Sequence, residues 1–171
     1  MRSQLYITMD HEIRLCDTLA QELINNRINA SNTVIITVSA DYSSILGQHL
    51  RHALTRNKQI CDGFAIDVPY PDETWDAQYV LDLQNAFENH QRVFAKGKTM
   101  LLVEAGVIRG SNYKYVTDFI HQRYSNTVKT LALFENNASI YKSDYVGEYY
   151  DDISQDLTFW WERDNKHWPL T

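Results

Sequence analysis

Residues 99–117, TMLLVEAGVIRGSNYKYVT, constrain the fold more than any other stretch of the chain. Residues 99–103 are an apolar run of strand length. An acid and a glycine-containing turn come next, and residues 113–120 then repeat at helical spacing. A strand, a tight turn and a helix start leave backbone N–H groups pointing outward at the positive end of a helix dipole, where phosphate groups settle. Chemistry is expected there.

The flanking segments continue the alternation. Residues 34–38, VIITV, are nearly continuous in β-branched side chains, as strands buried in a parallel sheet tend to be. Before them Asp10 offers an N-cap, and Ile13, Cys16, Leu19, Ala20, Leu23 and Ile24 form a helical stripe ending near Asn25 and Asn26. After them residues 39–43 lead into a helix over about 44–55. A strand at 63–68 is stopped by Pro69 and Pro71, and an acidic, aromatic helix is expected from 72 to about 94, with Trp75, Tyr79, Leu83, Ala86 and Phe87 on one side. Further strands are expected at 128–134 and 157–161. This order predicts one α/β domain with a mostly parallel central sheet flanked by helices, binding its ligands at the carboxyl ends of the strands.

Composition narrows the partners. At 171 residues the chain is long enough to bury most of its apolar surface in one domain. A net charge of −6 with no basic run argues against nucleic acid and against an anionic membrane surface. Cys16 and Cys61 are far apart, so neither a disulfide nor a metal pair is expected, and His49 with His52 lacks a third ligand. With no apolar leader and no run of transmembrane length, a cytoplasmic location is expected, where the sequons at Asn29 and Asn137 carry no sugar.

Residues 101–112, LLVEAGVIRGSN, resemble the phosphoribosyl pyrophosphate (PRPP) signature of the type I phosphoribosyltransferases, in which aliphatic residues, an acidic pair and more apolar residues precede Thr-Gly-x-Thr. Glu104 stands at the first acid, Ala105 at the second, and Arg109, Gly110, Ser111 and Asn112 at the phosphate-cradling turn. Other pieces are similar to the hypoxanthine and xanthine-guanine branch. They are YITMD at 6–10 with CDTLA at 16–20, VIITVS at 34–39, and KSDYVG at 142–147 with LTFWWE at 157–162.

The resemblance implies a type I phosphoribosyltransferase fold, with a core over about 10–135 and a small hood from about 1–9 and 136–171. It implies Glu104 as the catalytic, ribose-facing acid, with phosphate held by Arg109, Gly110, Ser111 and Asn112. The pyrophosphate loop would be Ser39, Ala40, Asp41 and Tyr42, and the base would lie against Asp144, Tyr145 and Trp160. Mg²⁺ is expected only with PRPP bound. A homodimer is expected, with the Trp75 to Phe87 stripe serving as core or subunit contact.

Several positions depart from the family pattern. The expected pyrophosphate loop has no glycine and gains Asp41. Ile108 stands where the purine branch carries a proton acceptor, a kind of help worth roughly 10² to 10⁴ in rate. The family's purine-oxygen lysine would lie near Glu135 and Asn136, which are not lysines, so the candidate for a purine oxygen is Lys142, set against an ordinary surface lysine. Binding therefore survives better than catalysis. The leading expectation is a phosphoribosyltransferase-like protein that binds PRPP or a nucleoside 5′-monophosphate and transfers phosphoribosyl to a purine-type base, as in purine salvage. The alternative is a non-catalytic nucleotide-binding or regulatory module, or an assembly protein, on the same fold.

Overall fold

The computed structural model describes residues 4–28, 30–38, 40–58, 61–69, 75–92, 97–151 and 156–162. The elements are β1 (Gln4–Ile7), α1 (Met9–Asn25), β2 (Thr33–Val38), α2 (Ala40–Arg56), β3 (Asp62–Ile66), α3 (Ala77–Asn89), β4 (Thr99–Val107), α4 (Ser111–Arg123), β5 (Val128–Asn136), β6 (Tyr145–Tyr150) and β7 (Asp156–Phe159). Five strands form a parallel sheet in the order β3-β2-β4-β5-β6, and β1 pairs with β7 as a separate parallel ribbon. The expected α/β architecture is present, with the hood reduced to that ribbon and the 3-10 turn Trp160–Glu162 after it.

The sheet is covered on both faces. Leu101, Val103, Leu131 and Leu133 pack with Cys16, Leu19 and Leu23 of α1 and Leu46 and Leu50 of α2. Met100, Leu102 and Ala132 pack with Leu83 and Phe87 of α3 and Tyr113, Val116 and Ile120 of α4. β2 is buried along its whole length between β3 and β4, as its β-branched composition predicts. Of the expected stripe, Leu83 and Phe87 are buried and Trp75, Tyr79 and Ala86 half-buried, all facing inward: Phe87 lies 5.3 Å from Phe119, and Trp75 stacks on Tyr115 at 4.0 Å. That stripe is core.

Several boundaries differ from the sequence reading. Thr8, rather than Asp10, caps α1, its Oγ1 accepting the His11 N–H at 3.2 Å, which places Asp10 inside the first turn beside the positive helix end. α3 is shorter than expected, starting after Asp76, whose carboxylate accepts the N–H groups of Gln78 and Tyr79 at 2.9 and 3.0 Å. α2 begins at Ala40, so the expected loop at Ala40, Asp41 and Tyr42 is the first helical turn, while Ser39 lies outside the described residues. β4 continues to Val107 because its last residues keep pairing with β5, and the turn before α4 shrinks to Ile108, Arg109 and Gly110.

The largest correction concerns residues 136–150, which the sequence assigns to the hood. β6 pairs with β5 from Leu131↔Tyr145 to Asn136↔Tyr150 and is the edge strand of the central sheet. Residues 137–144 connect these two parallel strands without a helix, running back along the α4 face as a strap. Its Tyr141 packs by Tyr113 and reaches Thr117, and its Asp144 reaches Thr130 near the start of β5. No helix among the described residues is long and apolar enough to cross a membrane.

Candidate functional site at the carboxyl ends of the strands

The turn between β4 and α4 is built on Gly110, whose φ of 75° is left-handed. A Cβ there would lie 2.7 Å from both Cβ and the carbonyl oxygen of Tyr141, so glycine meets both the conformation and the approach of the strap. Ser139 Oγ donates to the Tyr141 carbonyl at 2.8 Å and holds the strap in that position. Gly110 is covered from this side, but Arg109 and Ser111 on either side of it remain exposed.

Helix α4 starts without a side-chain cap. Its first internal bond to the turn is the Lys114 N–H to the Gly110 carbonyl at 3.1 Å, and among the described residues the N–H groups of Ser111, Asn112 and Tyr113 have no acceptor. These are the groups that a helix N-terminus offers to an anion. The Arg109 side chain makes no ion pair among the described residues and lies next to them.

Glu104 projects from β4 on the α3 and α4 side, the side of Met100 and Leu102. The residue keeps some exposure at its strand end, but its carboxyl is enclosed, and burial pushes it up to about 8 while a hydrogen bond from the Asn112 side chain pulls the other way. Asn112 is itself buried and donates through Nδ2 to the Pro69 carbonyl at 3.3 Å. Tyr113 lies beneath, donating its hydroxyl to the Leu131 carbonyl. Burial lifts its phenol well above the ordinary value, and the nearby Glu104 charge adds to the shift. The end of β4 thus carries one acid that burial keeps neutral at physiological pH, fenced by amide and phenol groups.

Next to β4, the ends of β5 and β6 bring further polar groups. Glu135 is fully buried, accepts the Ser143 N–H at 2.8 Å and lies 3.4 Å from Lys142 Nζ. Lys142 also donates to the Asn137 carbonyl at 2.9 Å. The strap thus delivers a lysine to the end of β5 although no lysine occupies that strand end in sequence.

The remaining expected site residues are placed elsewhere. Asp144 accepts the Thr130 N–H at 2.9 Å and the Thr130 hydroxyl at 3.2 Å, and pairs with Lys129 at 2.7 Å. Thr130 lies near the amino end of β5, about 17 Å of strand away from Glu135 at roughly 3.3 Å per residue. Tyr145 opens the edge strand β6, pairs with Leu131 well before the carboxyl end of β5, and is buried. Trp160 gives its indole N–H to Glu12 Oε2 at 2.7 Å and stacks on His49. The structure brings Glu104, Arg109, Gly110, Ser111 and Asn112 together and leaves Asp144, Tyr145 and Trp160 out. The side chains of Ala40, Asp41 and Tyr42 lie outside the described ones.

Sequence reasoning missed Glu12. It is fully buried between α1, α2 and the hood, accepting from Trp160 and bonded through Oε1 to His49 Nδ1 at 2.8 Å. A signal existed: Glu12, Cys16, Leu19 and Leu23 recur at the spacing of one helix face, so a carboxylate sits where the period calls for an apolar residue.

A five-stranded parallel sheet with a glycine turn after its central strand, and a hood of β1 and β7 above it, defines the type I phosphoribosyltransferase fold. Solved structures of that fold superpose over nearly the whole chain. A purine phosphoribosyltransferase from Pyrococcus horikoshii Ot3 is 18% identical with a TM-score of 0.66, covering 98% of this chain and 97% of its own. The Helicobacter pylori xanthine-guanine-hypoxanthine phosphoribosyltransferase is 12% identical with a TM-score of 0.67, covering 97% of each chain. A Neisseria gonorrhoeae protein solved with bound ppGpp is 17% identical with a TM-score of 0.69, covering 97% of this chain and 96% of its own. No family model and no curated protein matches the sequence. At these identities the likeness establishes the fold.

Proposed function

We propose that the chain binds the 5′-phosphate of a purine-type nucleotide or of PRPP at the turn from Ile108 to Asn112. The observation that carries this reading is the set of unpaired N–H groups at the start of α4, set by the left-handed Gly110 and flanked by the exposed Arg109. A bidentate guanidinium contact adds to the helix terminus on the same anion. The bound ppGpp of the Neisseria gonorrhoeae structure and the purine activities named for the other two support a purine nucleotide as the class.

Binding without turnover is favoured over phosphoribosyl transfer. A cation-like ribosyl group needs charged carboxylates beside it. Here burial keeps the Glu104 carboxyl protonated near neutrality, the second acid is Ala105, and Ile108 has no proton to exchange. The residues also fit a protein-held Mg²⁺ poorly: a neutral Glu104 is a weak ligand, and no group of three or more His, Cys, Asp or Glu among the described residues is placed to hold a metal. Mg²⁺ would arrive with the pyrophosphate of PRPP.

Calorimetry with PRPP and Mg²⁺, then with purine nucleoside monophosphates, tests the binding. A pyrophosphate-release assay across a panel of bases tests transfer. Binding without release is the expected result; release with any base would assign the protein to the enzymes, and no heat with any of these ligands would remove the nucleotide reading.

A further inference from the structure

The Glu12 node lies outside the phosphate turn and unites three parts of the chain. Glu12 comes from α1, His49 from α2 and Trp160 from the turn after β7, with contacts of 2.8 and 2.7 Å to the two carboxylate oxygens. An indole N–H can only donate, so Glu12 Oε2 is the acceptor. His49 and Trp160 lie with rings 6.4 Å apart and 17° from parallel, Trp160 packs at 75° to Trp161, and Trp161 stacks on Phe159 at 4.6 Å. Glu12 is 0% exposed, and a carboxylate in such surroundings is tolerated only while its donors stay in place.

The other end of the same hood segment reaches the end of β4, the strand that leads into the candidate site. Leu157, three residues before Trp160, pairs with Leu5 in the ribbon. Its Cδ1 lies 3.0 Å from where a Cβ on Gly106 would be, at the end of β4. Phe159 meets Phe134 at 6.0 Å at the end of β5. The hood therefore rests on the strand ends through Leu157 and Phe159, and its tether is one turn further on.

We infer that Glu12 is a positioning residue, a buried latch that holds the hood over the strand ends through the Trp160 indole and thereby sets access to the turn at Gly110. Only the consequence for access rests on the nucleotide reading; the latch itself is a property of the hood. The competing description is a general core contact whose loss loosens the whole molecule.

Hydrogen exchange and the indole signals of the full chain separate the two. The Trp160 indole proton is expected to exchange slowly, and Glu12→Leu is expected to release it while the indole signal of Trp75, on the opposite face of the sheet, stays in place. In Glu12→Leu the backbone amides of β1 and β7 are expected to exchange at least about 10-fold faster, with those of β4 and β5 unchanged. Glu12→Gln retains an acceptor for the indole and is expected to restore protection to within about 3-fold. Trp160→Phe removes the donor and part of the ring that meets His49 and Trp161 but leaves Glu12 in place, and is expected to loosen β7 in the same direction even if Glu12→Leu does not fold. Unchanged exchange in β1 and β7, acceleration of all strands together, or no rescue by Gln would each overturn the latch. Because none of these readouts uses a ligand, a negative calorimetric result at the turn leaves the outcome distinguishable.

Discussion

Gly110 and Tyr141 approach so closely that a methyl group on the glycine would fall 2.7 Å from the tyrosine Cβ. The contact joins the turn before α4 to the strap between β5 and β6. Gly97 is also left-handed, at φ 92°, but has open space around it. Replacing each with alanine separates strain from collision. Gly97→Ala is expected to cost about 1 kcal/mol and Gly110→Ala about 2–4 kcal/mol in urea unfolding. Equal losses would mean that the strap yields freely.

Arg109 offers a charge without a structural role. Arg109→Ala is expected to leave the melting temperature within about 1 °C and to weaken nucleoside monophosphate binding about 10-fold or more, since hydrogen bonds to charged groups contribute roughly 1.5–3 kcal/mol. Parallel melting and calorimetry check both, and a stability loss with unchanged affinity would reverse the assignment.

Glu104 gives a pH dependence with a defined sign. Its carboxyl titrates near 8 in the folded chain against an ordinary value of 4.5, so between these the folded state holds a proton that the unfolded state has released. Its contribution to stability is present below about 4.5 and is lost as pH rises through about 8. Glu104→Gln, neutral at every pH, is expected to match the wild type near pH 5 and to exceed it by about 1–3 kcal/mol at pH 9, with each unit of separation worth about 1.4 kcal/mol before residual exposure is discounted. Chemical denaturation across that range measures the divergence, and parallel curves would show an ordinary carboxylate.

Asp144 separates strand clamp from base contact. It accepts the Thr130 N–H and hydroxyl as well as the Lys129 ammonium. Asp144→Ala is therefore expected to cost about 1–3 kcal/mol and leave nucleotide affinity unchanged. Lost affinity at constant stability would return Asp144 to the site.

The fold was legible because its central strands are apolar on both faces, so residues 34–38 and 99–103 announce burial whatever turn or helix comes after them. The tight turn between β4 and α4 was legible because it needs a left-handed residue, and glycine at position 110 supplies one. β6 was not, because YVGEYY is half exposed at the sheet edge and its aromatic content matches a hood equally well. The strap was invisible for another reason: a parallel crossover normally takes a dozen or more residues and a helix, and here an extended segment does the work. Asp144 next to Tyr145 looks like a base site in sequence, yet its partner Thr130 lies 14 residues away, a distance that no local pattern encodes. Glu12 was readable from its place on the apolar face of α1, but its donors come from residues 49 and 160 and could not be named.

The most direct measurement is a ¹H–¹⁵N titration of the full chain with a purine nucleoside 5′-monophosphate. Binding at the turn predicts that the amide signals of Gly110, Ser111 and Asn112 shift first and saturate together, and that Gly110→Leu, still folded by the dispersion of its spectrum, shows no such shifts. Saturating shifts confined to other parts of the chain, or the same shifts in Gly110→Leu, would contradict it.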